Sequence, residues 1–115
     1  MTILDLKPII TDIIGAVDTK DNNIICDEST REKIKRVAEY SRGTSLYKET
    51  AEEREKLIKK NADANAAEVY MFLLERLIHA PTTLHMFSSV IILLPLVDDL
   101  MDKPNSILGS VYHAK

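Results

Sequence analysis

Glu75 and His79 stand four residues apart, and His85 follows just beyond Pro81. Helical positions i and i+4 share a face, so a carboxylate and an imidazole meet there, with a second imidazole past the turn. Such a donor set could begin a metal site. Helical di-iron sites, however, use Glu-x-x-His together with carboxylates from other helices, and this spacing differs. A Glu–His surface pair is the commoner arrangement, and no metal is expected. Cys26 is the single cysteine; it makes no internal disulfide, and a buried structural thiol is its default role. The chain has no Gly-rich phosphate loop, no G-x-S-x-G and no H-E-x-x-H. No cofactor is expected, and the chain does not read as an enzyme.

Two short stretches carry resemblances. Leu96 to Asp102 reads LVDDLMD, and its Asp98-Asp99-Leu100-Met101-Asp102 resembles the DDxxD motif of isoprenyl diphosphate synthases. That resemblance implies aspartates holding Mg²⁺ against a diphosphate. Those enzymes are large helical proteins with two such motifs, whereas this chain has one. Aspartates capping an apolar helix are the simpler account of the stretch.

Val37 to Tyr47 reads VAEYSRGTSLY. Its S-R-G-T-(S)-L-Y resembles the turn and recognition-helix start of tetracycline-repressor-type helix-turn-helix proteins. The resemblance implies that Ser41, Arg42, Thr44, Ser45 and Tyr47 approach phosphates or bases, supported by Arg31, Lys35, Arg36 and Lys48. A DNA-binding transcriptional regulator using residues 31–48 is therefore the alternative function. The pattern's Ala-Gly turn before the Ser is missing here, and one residue is inserted before Leu46. Acidic Glu49, Glu52, Glu53 and Glu55 follow at once, where a nucleic-acid surface keeps positive potential. A solvated helix–loop–helix connection is the primary expectation.

The elements that would position these residues follow from hydrophobic spacing. The chain has 115 residues, 45% of them hydrophobic and 29% charged, with a formal net charge of -3. That length suits one domain, 1–115, and the charge does not favour non-specific attraction to nucleic acid or anionic lipid. Aromatics make up only 5% of residues, and three Gly and four Pro are too few to punctuate many short strands. The N-terminal MTILDLKP has no basic region followed by an apolar run, so no signal peptide is expected. A cytoplasmic protein in a reducing compartment is the simplest reading.

Ile9, Ile10, Ile13, Ile14 and Val17 lie on one face of a first helix that opens near Asp5 and Pro8. Asp18 to Asn23 reads as a loop, followed by an apolar patch at Ile24, Ile25 and Cys26. Ser29-Thr30-Arg31-Glu32 matches a capping box for a second helix with an inner stripe of Ile34, Val37, Ala38 and Ser41, ended by Gly43. Thr50-Ala51-Glu52-Glu53 is a second capping box. It opens, or lies within, a third helix of about 30 residues that reaches His79 and stops at Pro81. Along that helix runs a stripe of Ile58, Ala62, Asn65, Val69, Phe72 and Leu73.

Leu77 to Val97 contains no Asp, Glu, Lys or Arg, and Val90 to Leu94 is apolar on every side. A helix of that kind must be buried in a core, an interface or a bilayer. Its length permits a membrane span, but two prolines, two histidines, two serines and two threonines lie within it and no basic cluster flanks it. A buried core helix is the expectation. Pro95 either kinks it or opens a short new helix, in which case Asp98 and Asp99 fall near a positive helix end. Ile107, Leu108, Val111 and Tyr112 give the tail enough apolar surface to dock.

The resulting expectation is an all-α protein, a small bundle of about four helices whose long third helix forms an antiparallel hairpin with the fourth. The first two helices supply apolar faces that the central segment uses up. The stripe of Ile58, Ala62, Asn65, Val69, Phe72 and Leu73 is then left as an interface. Two-fold self-association would cover it, with Asn65 selecting the register. The expected function is a non-enzymatic binding or regulatory protein acting through protein–protein contacts, as a homodimer and with a protein partner. Neither a membrane nor nucleic acid is the favoured partner.

Overall fold

A computed structural model describes residues 3–102. The expected docking of the tail through Ile107, Leu108, Val111 and Tyr112 lies outside the described residues. Among those residues are six helices and one two-stranded hairpin, in the order α1, β1, β2, α2, α3, α4, α5, α6. The mostly helical class agrees with the apolar periodicity.

α1 (Ile3–Ala16) carries Pro8 inside it and buries Leu6, Ile10 and Ile13 at the helical spacing of four and three. It packs on α2. The stretch expected as a loop is instead a hairpin. β1 (Asp18–Lys20) pairs antiparallel with β2 (Asn23–Ile25), Thr19 opposite Ile24. Asp21 and Asn22 between them have φ of 53° and 67°. Two successive positive φ values are what a two-residue hairpin turn with the sheet's own twist requires, and Asp and Asn tolerate that region best after glycine. Three-residue strands are too short to show an alternating pattern, so only the turn could have announced them.

α2 (Glu28–Arg42) starts two residues earlier than the capping box suggests. Asp27, not Ser29, is the N-cap, and its carboxylate accepts from the Thr30 backbone N–H at 2.8 Å. Hydrogen bonding from the Thr30 side chain, and then from its backbone N–H, holds the Asp27 carboxyl below its ordinary pKa. The inner stripe of Ile34, Val37, Ala38 and Ser41 is buried as its spacing implies, and Gly43 is the C-cap.

The largest departure concerns the long third helix. It is three helices: α3 (Ser45–Glu49), α4 (Ala51–Lys60) and α5 (Ala66–Ile78). Thr50 does not cap α4 with its side chain; its hydroxyl donates backward to the Leu46 carbonyl at 2.8 Å. The second break falls at 61–65, where Asn61, Asp63 and Asn65 crowd into five residues. Such side chains offer the backbone alternatives to helical bonding. Asn61 Nδ2 donates to the Leu57 carbonyl, and Asn65 is the N-cap of α5. Asn65 Oδ1 accepts from the Glu68 N–H at 3.0 Å, while its Nδ2 donates to the Glu68 carboxylate at 3.0 Å. A capping arrangement of that reciprocal kind starts a helix. The residue expected to key a seam is the punctuation that interrupts it.

α6 (Thr83–Asp102) is the element around which the others assemble. Every residue from Ser89 to Asp98 is buried, and α2 and α5 lie against it most extensively, with α3 and α4 also touching it. Phe87 and Ile91 belong to the same core. By length and composition α6 could cross a membrane; 67% of its most apolar window is covered within the fold. Pro95 neither stops the helix nor opens a new one, but lies inside it. Lacking an N–H, it leaves the Ile91 carbonyl without its usual helical donor.

Candidate interaction surfaces

The aspartates at the end of α6 sit at the negative end of the helix dipole, opposite to the end expected from a new helix at Pro95. Cations from α2 offset that placement. Arg42 donates to Asp98 Oδ2 at 3.2 Å, to Asp99 Oδ1 at 2.8 Å and to the Pro95 carbonyl at 3.1 Å. Arg31, three turns earlier on α2, pairs with Asp102. Asp98 is buried, so its charge needs this partner. The cluster clamps α2 to α6. Its carboxylates are engaged by guanidinium groups from α2, an arrangement that accounts for them as a structural cluster.

The same contacts bear on the helix-turn-helix resemblance. Of its basic set, Arg31 and Arg42 are turned onto α6, while Lys35, Arg36 and Lys48 are exposed. Thr44 is the N-cap of α3, accepting from the Tyr47 N–H at 3.2 Å. α3 has five residues, little more than one turn, against the longer recognition helix that a major groove admits. Tyr47 is covered by Arg54, whose guanidinium lies 3.4 Å from the ring centroid. Arg54 also donates to the Tyr47 carbonyl and to Thr50 Oγ1, and burial pulls its pKa down. This corner of α3 and α4 is bound to itself.

The residues expected as a self-association seam are redistributed. Ile58 on α4 and Val69 and Leu73 on α5 are buried within the core of the single chain. Ala62 and Asn65 are half-buried in the connection between the helices, and Phe72 is 38% exposed. The stripe is therefore not an uncovered strip. The break at 61–65 lets α4 and α5 turn independently, and α6 is large enough to cover both.

What the fold leaves open lies on the other side of α5. Met71 is 51% exposed and Ile78 75%, and Leu84, just past the turn into α6, is 64% exposed. Phe72 is exposed on the far side of Glu68 and Glu75 on the same helix. The signal was present in the sequence, because Met71 and Ile78 are seven residues apart and share a face. It was masked because α5 is apolar on its inner face as well.

Glu75, His79 and His85 are not gathered into a metal site: among the described residues no group of three or more His, Cys, Asp or Glu is placed to hold an ion. His85 is engaged at the start of α6, where its Nδ1 shares a hydrogen bond of 2.6 Å with Thr82 Oγ1 and its backbone N–H donates to the same oxygen. Cys26 is half-buried; desolvation pushes its thiol pKa up, with Arg31 opposing. A raised pKa means less thiolate and a less reactive sulfur. Nearby, the Tyr70 hydroxyl is buried with no hydrogen-bond partner among the described residues, and burial, with a smaller effect from Cys26, pushes the phenol up to about 12.

No known protein family, curated protein or solved structure matches the chain.

Proposed function

We propose that the chain is a small non-enzymatic helical binding protein that acts through protein–protein contacts, with the outer face of α5 and its turn into α6 as the contact surface. The observation that carries this reading is the exposure of Met71, Phe72 and Ile78 on one helix and of Leu84 just past it, against only Ile14 and Ile25 as the other exposed large hydrophobics among the described residues. Contiguous exposed apolar residues mark interaction sites more often than isolated ones. Self-association, placed by the sequence on the seam of Ile58, Val69 and Leu73, would have to use these exposed residues instead.

A photo-crosslinking amino acid at Ile78, compared with one at Lys35, tests the reading in cells that make the protein. The expected result is a discrete protein adduct from position 78 alone, lost when Met71 is changed to Glu. Equal labelling from both positions, or none from position 78, ends it. An adduct of twice the chain's mass would identify a second copy as the bound protein.

A further inference from the structure

Resting on that reading of the α5 face, the charges around it narrow the kind of partner. A shallow groove of about 590 Å³ runs along α5, with Met71, Leu74 and Ile78 on one side, Glu68 and Glu75 bordering them, and Phe72 and His79 beyond the two carboxylates. Among the described residues no Lys or Arg lines it. Arg76 is turned toward Glu53, at 3.4 Å, and over the Phe72 ring. Glu68 is held by Asn65 at the start of the helix, and Glu75 has no ion pair among the described residues.

A second copy docked face to face would bring two such carboxylates against two more, a like-charge juxtaposition that disfavours the pairing. A partner with cations beside its apolar residues meets the opposite situation. We propose that the groove takes an amphipathic helix from another protein, apolar on the side that meets Met71, Leu74 and Ile78, with Lys or Arg along one edge reaching Glu68 and Glu75. Helix-in-groove recognition of this type reads anchors at i, i+3/i+4 and i+7. α5, with 13 residues, is about 20 Å long and offers room for them. The flexible side chain of Met71 lets the wall adapt to different anchors.

Three synthetic peptides of about 14 residues, long enough for such a helix, test this: Leu/Lys, Leu/Gln and Leu/Glu, each with one apolar face. Fluorescence anisotropy with the full chain should show the Leu/Lys peptide binding about tenfold tighter than Leu/Gln, and Leu/Glu weakest. Amide shifts in a ¹⁵N spectrum should concentrate on residues 67–79. Glu68→Gln with Glu75→Gln should bring the Leu/Lys and Leu/Gln affinities together. Met71→Gln with Ile78→Gln, which leaves every charge in place, should abolish binding while circular dichroism shows the helices retained. Equal binding of the three peptides, shifts centred on α4 instead of α5, or normal binding by the Met71/Ile78 variant each overturns the inference. A wild type that dimerises in light scattering and becomes monomeric as Ile78→Gln also overturns it, while leaving the contact surface itself in place.

Discussion

The two ends of α6 have been treated in opposite ways. At its C-terminal end, Asp98, Asp99 and Asp102 face an unfavourable dipole and are held by Arg42 and Arg31 from α2. At its N-terminal end, Leu84 stands in solvent, as does Ile78 at the end of α5, with no Asp, Glu, Lys or Arg between Leu77 and Val97 to solvate that region. One end is polar and satisfied inside the protomer; the other is apolar and unsatisfied. Burial of a charge demands a partner within the fold, because an unpaired buried carboxylate costs several kcal/mol. An exposed leucine costs the fold little and waits for a partner outside it. The contrast separates residues that hold the structure from residues free to meet something else.

Six substitutions can break or sharpen that contrast. The largest effect is expected from Val69→Glu, which places a carboxylate in the core instead of in an interface. It should unfold the chain, with a loss above about 4 kcal/mol. A folded monomer replacing a dimer would show that the seam is an interface after all. Phe87→Ala, one turn into α6 and at the start of its covered part, should cost about 3–5 kcal/mol in denaturant unfolding. A midpoint that hardly moves would mean the apolar, open end of α6 extends past Phe87.

Arg42→Ala leaves buried Asp98 without its cation. Since Arg42 is itself partly exposed, the expected loss is about 2 kcal/mol, below that of a fully buried pair. Arg31→Ala, at the exposed pair with Asp102, should cost well under that, and equal losses would show that the two arginines do not differ as their burial implies. Tyr70→Phe should be neutral or raise stability by about 1 kcal/mol, because it removes a buried hydroxyl without a partner among the described residues. Its pH dependence is a separate check. The phenol is raised from 10.0 to about 12 in the fold, so the folded state favours the neutral form. That contribution is complete below pH 10 and is lost as pH rises toward 12. The Phe variant should lack this component of the alkaline loss. Smallest of all, Leu84→Ala should change stability by less than about 0.5 kcal/mol, and a loss near that of Phe87→Ala would mean the open end is covered.

Much of the fold was legible in residue spacing, and the limits of that legibility have specific causes. The stripe of α2 and the burial of Val90 to Val97 follow from residue type alone, since a charge-free run has no stable place in water. The break at 61–65 was written in Asn61, Asp63 and Asn65 but was outweighed by the apolar positions on either side. Propensity and periodicity compete there, and the side-chain bonds of Asn65 to Glu68 decide between them. The hairpin rested on two residues, Asp21 and Asn22, with strands too short to carry a pattern. The candidate surface was the least legible part, because α5 is apolar on both faces and spacing alone does not say which face α6 will cover.

By itself, then, the sequence determined that a charge-free helix must be enclosed and that amphipathic helices would enclose it, because water rejects apolar surface irrespective of topology. Tertiary structure decided which apolar residues the enclosure used up and which it left over. It buried Ile58, Val69 and Leu73 and left Met71, Ile78 and Leu84 outside. It also turned Arg31 and Arg42 from a candidate nucleic-acid surface into the partners of Asp98, Asp99 and Asp102. Those assignments depend on distances between segments more than fifty residues apart in the chain, and local spacing carries no record of such distances.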